Sequence, residues 1–275
     1  MATSLERFET HVDVVDPTDS VVDVLNDQSG LSKQSVKLAM AKGAVWLTRG
    51  QKTQRLRRVT RALQLGDQLH LYYDLRVLSE TPAESVLIDD AGAYSVWNKP
   101  SGLRSQGSKW GDHCTVVRLA EQRLARTAFI VHRLDRAASG LMVVAHGRRA
   151  AAVLSRQFRE RAVTKRYRVW VHGDFPHDNS PLRVDAPIDR KPAVSEFRRV
   201  SLQSGQSCLD VRIETGRKHQ IRRHLAELGY PVVGDRLYGH GKTGDVDLQL
   251  SAVELAFHCP VKNVPVSYRL AAWSD

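Results

Sequence analysis

The chain is poor in cysteine and contains no long hydrophobic segment. Only three cysteines, Cys114, Cys208 and Cys259, occur in 275 residues, and they are widely separated. So few and scattered thiols exclude a disulfide framework and a cysteine-rich zinc module, and they are typical of the reducing cytoplasm. No run approaches the ~20 apolar residues that a membrane-spanning helix needs. The first residues lack the basic start and apolar core of a secretion signal, so we expect a cytoplasmic protein without a membrane anchor.

Acidic residues are outnumbered, and internal repeats and low-complexity tracts are absent. The chain has 30 acidic against 41 basic side chains, which gives a formal net charge of +11. This excess favours a polyanionic partner, and nucleic acid is favoured over a membrane because no basic amphipathic anchor is evident. A basic enzyme with no such partner is the alternative. The hydrophobic content of 42% can supply a substantial core.

Charge is unevenly distributed near the N-terminus. Residues 1–32 contain seven acidic side chains and one basic side chain, whereas residues 33–61 contain nine basic and no acidic side chains. Within the basic block, Ser32 is a candidate N-cap and Gly43 a candidate terminator of a short helix. Lys33 and Lys37 share one face of that helix.

A small N-terminal module is predicted over residues 1–80. A strand at residues 44–47 follows the helix, and apolar and polar residues alternate around a Gly-Asp pair in residues 63–73, which predicts a half-buried hairpin. Two helices leading into a small sheet with a basic face resemble the S-four-like RNA-binding module. We interpret four basic side chains as its phosphate contacts: Lys33, Lys37, Arg55 and Arg57. A solvated basic face without RNA contacts is the alternative.

A larger second domain is predicted over residues 84–275, after a linker marked by Pro82. We predict helices at residues 148–161 and 220–228, and strands at residues 93–97, 141–145, 167–171, 194–200 and 208–213. Strands paired by hairpins with helices on the flanks predict an α+β fold with a mixed, largely antiparallel sheet. The small N-terminal α/β module is appended to it.

One short segment stands out as a candidate for chemistry, namely His132-Arg133-Leu134-Asp135-Arg136. Asp135 lies between two arginines that help to keep its carboxylate ionised, so it is a candidate nucleophile or base. A second segment, residues 217–225, opens a predicted helix and offers guanidinium groups that can hold a carboxylate bidentately. We expect the two segments to form one site. Taken alone, Asp135 is equally compatible with a turn residue paired to an arginine for stability.

Several motifs follow one another in a recognisable order. They are Asn98–Leu103, His132–Leu141, Lys165–Tyr167, Thr215–Leu225 and Gly234–Gly239. The set closely resembles the RluA family of RNA pseudouridine synthases, and the resemblance extends from about Asp90 to the C-terminus. It implies the fold of the pseudouridine synthases and the isomerisation of uridine in structured RNA. Some members of that family also carry an S-four-like domain at the N-terminus.

The resemblance implies specific roles for three residues. Asp135 matches the aspartate that attacks the target uridine, Tyr167 matches the active-site tyrosine, and Arg222 matches the arginine that pairs with the aspartate. One departure is visible, because the family usually has Thr immediately before the pair Ser139-Gly140, whereas this chain has Ala138, preceded by Ala137. The missing hydroxyl puts a local turn hydrogen bond in question. We interpret further side chains near the motifs as RNA contacts: Arg133, Lys165, Arg217, Lys218 and His219.

The residues also suit the chemistry that the resemblance implies. Conversion of uridine to pseudouridine detaches the base from C1′ and rejoins it through C5, so a nucleophile must hold the sugar or the base meanwhile, and a carboxylate can do either. The base must be extruded from folded RNA into a pocket, where Tyr167 could stack on it and assist removal of the C5 proton. In isolation, Tyr167 is more typical of an ordinary strand aromatic that packs on the core. No cofactor is needed.

Other functions are less well supported by the sequence. Histidines 219, 224, 240 and 258, with Cys259, lack the i, i+4 spacing of a helical metal site, and the stretch from Gly234 to Gly239 lacks the ending of a nucleotide-binding phosphate loop. We therefore predict neither a metal nor a nucleotide cofactor. We expect a monomeric enzyme acting on ribosomal RNA in preference to transfer RNA. The main alternative is a non-catalytic RNA-binding or ribosome-assembly factor that retains the fold, and a metal-dependent hydrolase is a more distant one.

Overall fold

The structure is a computed structural model and describes residues 6–176, 180–239 and 246–270. The chain divides into two units, which we call the N-terminal unit (residues 6–82 with Gln106–Leu119) and the large unit (Ala83–Ser105 with the described chain from Ala120). The chain first passes from one unit to the other between Pro82 and Ala83, while the assignment of residues 1–80 and 84–275 as functional domains stays a prediction. Gln106–Leu119, which the sequence assigns to the second domain, instead folds with the N-terminal unit.

The N-terminal unit contains a four-stranded antiparallel sheet in the order β1-β4-β2-β3, with helices on one face. Its elements are β1 (Arg7–Asp13), α1 (Val21–Ser29), α2 (Lys33–Ala41), β2 (Val45–Arg49), β3 (Lys52–Arg55), β4 (Gln68–Asp74) and α3 (Leu75–Ser79). The predicted helix is confirmed as α2, where the Ser32 hydroxyl accepts a hydrogen bond from the Ser35 backbone N–H at 3.1 Å. Such a cap satisfies a donor that the helix itself leaves without a partner.

The predicted hairpin over residues 63–73 is wrong, because only its second half is a strand. Residues 63–67 form a turn, and β4 pairs with β1 and β2 instead. The Asp67 carboxylate is buried and accepts hydrogen bonds from the Gln64 backbone N–H at 2.9 Å and from Arg49. These bonds close the turn, so the alternation of Leu63 and Leu65 belongs to a loop and not to a strand.

Gln106–Leu119 is held in the N-terminal unit by ionic and aromatic contacts. Arg57 donates two hydrogen bonds of 2.5 Å to the Asp112 carboxylate, and the Arg55 Nε lies 3.2 Å from the same carboxylate. The Arg7 guanidinium lies 4.3 Å from the centre of the Trp110 ring. The side chains of Arg55 and Arg57 are only 19% and 23% exposed. To act as the predicted phosphate contacts, Arg55 and Arg57 would therefore have to give up their ion pairs with Asp112.

The large unit contains the chain's main sheet, flanked by helices. Beyond α3 the elements are β5 (Val86–Asp90), β6 (Tyr94–Lys99), α4 (Val116–Leu124), β7 (Phe129–Ile130), β8 (Ser139–Ala145), α5 (Arg148–Arg159), β9 (Thr164–His172), β10 (Leu182–Asp185), β11 (Val194–Gln203), β12 (Gln206–Ile213), α6 (Gln220–Glu227), β13 (Leu250–His258) and β14 (Pro265–Arg269). Every helix and strand predicted for this domain is found, with bounds shifted by a few residues. The predicted β11–β12 hairpin turns at Gly205. Helix α4, whose residues up to Leu119 belong to the N-terminal unit, was not predicted, and neither were β7, β10, β13 and β14.

The main sheet has the strand order β10-β11-β12-β9-β13-β8-β6-β5, while β14 pairs with β13 and β7 with β8. All of its described pairs are antiparallel except β8 with β13. The prediction of an α+β fold with a largely antiparallel sheet is confirmed. No helix among the described residues has the length and apolar character required to cross a bilayer.

The pairing of β13 with its two neighbours brings distant segments together. Ala252 in β13 is in register with Gly140 in β8 on one side and with Tyr167 in β9 on the other. Asp135 lies in the loop just before β8. Gly140 and the candidate tyrosine are therefore placed at the same level of the sheet, and the loop that carries the candidate nucleophile leads into the strand that contains Gly140.

The close approach of β8 and β13 yields a prediction for Gly140→Ala. Gly140 has a φ of +110°, and a Cβ at this position would lie 2.3 Å from the Ala252 carbonyl oxygen. Since the obstacle is backbone, the strands must separate, and we expect a loss of about 2–4 kcal/mol in the free energy of unfolding. Urea denaturation of both proteins measures it. Gly216→Ala is the control, because a Cβ there meets nothing within 4 Å, and equal effects of the two substitutions would contradict the prediction.

Candidate active site

Asp135 is presented by a short turn between β7 and β8. The Ala138 backbone N–H donates a hydrogen bond of 3.2 Å to the Asp135 carbonyl, and this bond closes the turn. Ala138 is 3% exposed and packs in a core cluster with Ile221 and Leu250. The turn is thus closed by a backbone hydrogen bond, which needs no hydroxyl group at position 138.

A second segment, residues 99–105, clasps this turn through its backbone. The Ser105 hydroxyl donates to the Leu134 carbonyl at 2.7 Å and accepts from the Leu134 N–H at 3.0 Å. The Ser101 hydroxyl donates to the Ala137 carbonyl at 2.9 Å, and the Gly102 N–H donates to the Arg136 carbonyl at 2.9 Å. These bonds bracket Asp135 on both sides, so its backbone position is fixed by a segment about 30 residues away.

Lys99 is the most deeply buried cation of this clasp. Its side chain is fully buried, and its Nζ donates hydrogen bonds to the carbonyls of Pro100, Leu103 and Arg136 at 3.0, 2.8 and 3.2 Å. Burial lowers the pKa of Lys99 to about 7, while the charge of Asp135 acts in the opposite direction. Lys99 therefore ties the two backbone segments together from beneath the turn.

Arg222 lies beside Asp135, but its closest partner is a different carboxylate. Arg222 Nε and Nη2 donate to the two oxygens of Asp235 at 2.7 and 2.6 Å, whereas Nη1 lies 3.7 Å from Asp135 Oδ2. The side chains of Arg222 and Asp235 are 5% and 0% exposed, and that of Asp135 is 20% exposed. The predicted pairing of Arg222 with Asp135 is thus an electrostatic contact, and the bidentate bond expected of this arginine is made to Asp235.

His219 is a second neighbour of Asp135 and has an unusual backbone. It precedes α6 with φ 56° and ψ 28°, a left-handed conformation that is unfavourable for a residue other than glycine. Its Nε2 lies 3.9 Å from Asp135 Oδ1, and its Nδ1 lies 2.9 Å from the Tyr238 hydroxyl. Burial lowers the pKa of His219, and Asp135 opposes this shift. At neutral pH its imidazole is therefore mainly uncharged.

Tyr167 and Asp135 line the same cleft, which has a volume of about 250 Å³. Apolar side chains form its floor, including Ile213, Ile221 and Leu250. Burial, and then the charge of Asp135, raises the pKa of Tyr167. Its phenol therefore stays protonated, which favours a role in stacking or in hydrogen-bond donation over a role as a base.

Four of the five predicted RNA contacts of this unit lie at the cleft, namely Arg133, Arg217, Lys218 and His219. Arg133 and Lys218 are exposed, while Arg217 donates to the Pro192 carbonyl at 2.9 Å. Lys165 does not line the cleft; burial, and then Arg161, lowers its pKa to about 8. Since its surroundings penalise a charge, Lys165 is a weaker candidate for a phosphate contact than the other four.

The histidines considered for a metal site do not cluster among the described residues. His224 is buried between the Ser195 hydroxyl and the Ala186 carbonyl, both at 3.0 Å, and His258 belongs to β13. His240 lies outside the described residues. Within the described ranges, no group of three or more His, Cys, Asp or Glu side chains is arranged to hold a metal ion.

Sequence reasoning missed several residues that build the site. Lys99, Ser101 and Ser105 lie in or next to a motif to which no role was assigned, and Asp235 was considered only as part of a loop. The motifs Asn98–Leu103 and Gly234–Gly239 marked the right places. They did not show which backbone groups or charges these residues would meet, since every one of those partners is distant in sequence.

Comparison with known proteins yields concordant similarities. Residues 93–227 match the family described as RNA pseudouridylate synthase. The chain is 35% identical to the dual-specificity RNA pseudouridine synthase RluA of Vibrio parahaemolyticus over 65% of this chain and 79% of that protein. It is also 35% identical to an uncharacterized RNA pseudouridine synthase of Synechocystis sp. over 66% of this chain and 68% of that protein. The structure resembles human RNA pseudouridylate synthase domain containing 1, with a TM-score of 0.58, 24% identity and coverage of 70% and 85% of the two chains.

The buried lysine yields a prediction of pH-dependent stability. The pKa of Lys99 is about 7 in the folded protein, and it is about 10.4 for lysine in an unfolded chain. Between these values the unfolded chain binds one more proton, so stability rises with pH by up to about 1.4 kcal/mol per unit. Lys99→Met removes this contribution. We expect the difference in unfolding free energy, native minus Lys99→Met, to be constant below about pH 7 and to increase up to about pH 9. Urea denaturation across this range measures it, and parallel profiles would contradict it.

Proposed function

This chain belongs to the RNA pseudouridine synthases of the RluA family and isomerises uridine in RNA, and on that premise we propose that Asp135 is its nucleophile. The observation that carries the proposal is the position of the Asp135 carboxylate. It opens into the cleft beside Arg222 and Tyr167 and is still 20% exposed, whereas the neighbouring Asp235 is closed off by hydrogen bonds. Only one of the two carboxylates is available to a substrate.

The proposed reaction breaks the N1–C1′ bond of uridine and forms a C5–C1′ bond. Asp135 forms a covalent bond with the sugar or the base while the uracil turns, and this bond is broken when C5 joins C1′. The C5 proton is then lost, and N1 gains a proton, so the product is an isomer of the substrate. The charge of Arg222 favours the ionised carboxylate before attack and after release.

Tyr167 is proposed to hold the extruded base. Its ring lies in a cleft with an apolar floor, and base stacking on an aromatic ring is worth about 1–3 kcal/mol. Because its raised pKa keeps the phenol protonated, the earlier expectation that Tyr167 removes the C5 proton is less well supported than stacking. Arg133 and Lys218, both exposed at the cleft, are suited to contact phosphates beside the target nucleotide.

The N-terminal unit is proposed to be an S-four-like RNA-binding module, which favours ribosomal RNA over transfer RNA as substrate. Lys33 and Lys37 are exposed on α2, and the ion pair between Lys33 and Asp23 is itself exposed. Surface ion pairs of this kind contribute little stability, so a phosphate can replace the aspartate at small cost. We further propose that the enzyme is a monomer of the cytoplasm.

Asp135→Asn should reduce turnover by more than about a thousandfold and leave the fold intact. The amide keeps the shape of the side chain but cannot attack as a carboxylate does. Carbodiimide-dependent primer extension on RNA incubated with each purified protein measures pseudouridine formation. Asp189→Asn is the matched control, because Asp189 is an exposed aspartate paired with Arg223. Appreciable pseudouridine formation by Asp135→Asn would refute the proposed nucleophile.

A chelator tests the metal-dependent alternative. Loss of native activity on adding the chelator, with recovery on adding zinc, would favour that alternative.

Replacing both Lys33 and Lys37 with Ala should weaken RNA binding more than chemistry. Each phosphate contact contributes ~0.7–0.9 to the slope of log affinity against log salt, so the slope should flatten by roughly 1.5. The single-turnover rate at saturating RNA should change little, because Asp135, Tyr167 and Arg222 belong to the large unit.

Filter binding over a series of salt concentrations measures this slope. Lys262→Ala, which removes one exposed lysine near the turn between β13 and β14, serves as a charge control. An unchanged slope in the Lys33/Lys37 double variant would show that the basic face of α2 is only solvated.

A further inference from the structure

Asp235 is a buried carboxylate to which the proposed mechanism gives no task. It is separated from Asp135 by 100 positions in sequence, yet both carboxylates contact the same guanidinium. Burial opposes its charge, but hydrogen bonds from Arg222 and from two backbone N–H groups lower the pKa of Asp235 below its usual range. Asp235 is therefore a permanent anion inside the protein.

The loop that carries Asp235 is built to fix this anion in one place. Asp235 Oδ1 accepts hydrogen bonds from the backbone N–H groups of Leu237 and Tyr238 at 2.9 and 3.1 Å, in addition to the bond from Arg222. Gly234 has a φ of +78°, and a Cβ there would lie 2.3 Å from the Asp247 carbonyl oxygen. The backbone thus turns sharply just before Asp235, in a space that accepts only glycine.

Arg222 lies closer to the carboxylate of Asp235 than to that of Asp135. Two nitrogens are bound to Asp235 at hydrogen-bond distance, and the third, Nη1, stops 3.7 Å from Asp135. The Tyr238 ring, 5.2 Å from the centre of the guanidinium, packs along it. At 3.7 Å the positive charge still favours an ionised Asp135, but Asp135 is not bound bidentately, as it would be if Arg222 were free to turn.

This difference matters for a nucleophile. A carboxylate whose lone pairs are held in two short charge-assisted hydrogen bonds must give up those bonds in order to attack. A carboxylate that lies near the positive charge without a hydrogen bond to it keeps its lone pairs available for attack. Hence a fixed Arg222 is better for catalysis than a mobile one, although a mobile one would pair more tightly with Asp135.

We propose that Asp235 is a positioning residue that holds Arg222 away from hydrogen-bond contact with Asp135, so that Asp135 stays ionised and free to attack. This inference rests on the proposed role of Asp135 as the nucleophile. Asp235 does not touch the substrate in this proposal and acts only through Arg222.

Asp235→Asn is the test. An asparagine oxygen can still accept the two backbone hydrogen bonds, but its NH₂ group faces Arg222 Nε–H and cannot accept from it. Arg222 then turns toward Asp135, and we expect kcat to fall about 10- to 100-fold with KM changed less than about twofold. Since the charge of Arg222 is no longer balanced by Asp235, the lower limb of the kcat pH profile should move to lower pH. The other titratable groups that face Asp135, namely Lys99, Tyr167 and His219, are retained in this variant.

Asp210→Asn is the matched control. Asp210 is also a buried aspartate, 8% exposed, and accepts two hydrogen bonds from Arg166. Side chains alternate along β9, so Arg166 lies on the face opposite to Tyr167. Asp210→Asn should lose stability as Asp235→Asn does, while its kcat and pH profile stay native. Thermal melts of all variants separate folding effects from catalytic effects.

Two results would overturn the inference. One is a native kcat in folded Asp235→Asn; the other is a lower limb that moves to higher pH, which would mean that Asp135 had lost Arg222 and not gained it. Should Asp235→Asn fail to fold, Arg222→Lys carries the test, because lysine keeps the charge but cannot be held rigidly by two bonds to Asp235. A native kcat in Arg222→Lys would equally refute the inference. Pseudouridine formation by the native chain and its loss in Asp135→Asn test the proposed function separately.

Discussion

One guanidinium shared by two carboxylates organises the cleft. Burying an arginine and an aspartate is costly unless the pair is well oriented and the remaining donors and acceptors are satisfied. Asp235 meets this condition with hydrogen bonds from two guanidinium nitrogens and two backbone N–H groups. Because this pair is complete without Asp135, the second carboxylate can remain partly exposed and reactive. Two aspartates in one site thus differ in role because their surroundings differ, as paired carboxylates do in many enzymes.

The position of Asp135 depends on backbone contacts more than on its own side chain. Ser101, Ser105 and Lys99 bind carbonyl groups on both sides of it, and Gly140 allows β8 to approach β13 closely immediately afterwards. A loop would otherwise be too mobile to hold a nucleophile within a fraction of an ångström. This arrangement buries the Lys99 ammonium group, which is unfavourable. The hydrogen bonds from Lys99 to three carbonyl oxygens offset part of that free-energy cost.

The N-terminal unit shows how a basic segment divides its charges between binding and structure. Arg49 closes a turn on Asp67, and Arg55 and Arg57 hold Asp112 in Gln106–Leu119. Lys33 and Lys37 remain exposed on α2. Arginine forms planar, bidentate pairs with carboxylates more readily than lysine does, which accounts for this division. The number of basic residues in a segment therefore overestimates the number available to RNA.

Local patterns in the sequence determined much of this protein. The helix caps, the β11–β12 hairpin, α6 and the motifs depend on residues within a few positions of one another. The family resemblance that those motifs carry, and no local pattern alone, made Asp135, Tyr167 and Arg222 the candidates. The same local reasoning failed at residues 63–73, where Asp67 bonds to Arg49 and turns an alternating pattern into a loop. Only the tertiary structure decided that Arg222 bonds to Asp235, that residues 99–105 clasp the Asp135 turn, and that Gln106–Leu119 joins the N-terminal unit. These contacts link segments that are far apart in sequence, and their distances are set by the register of β8, β13 and β9, which no local pattern encodes.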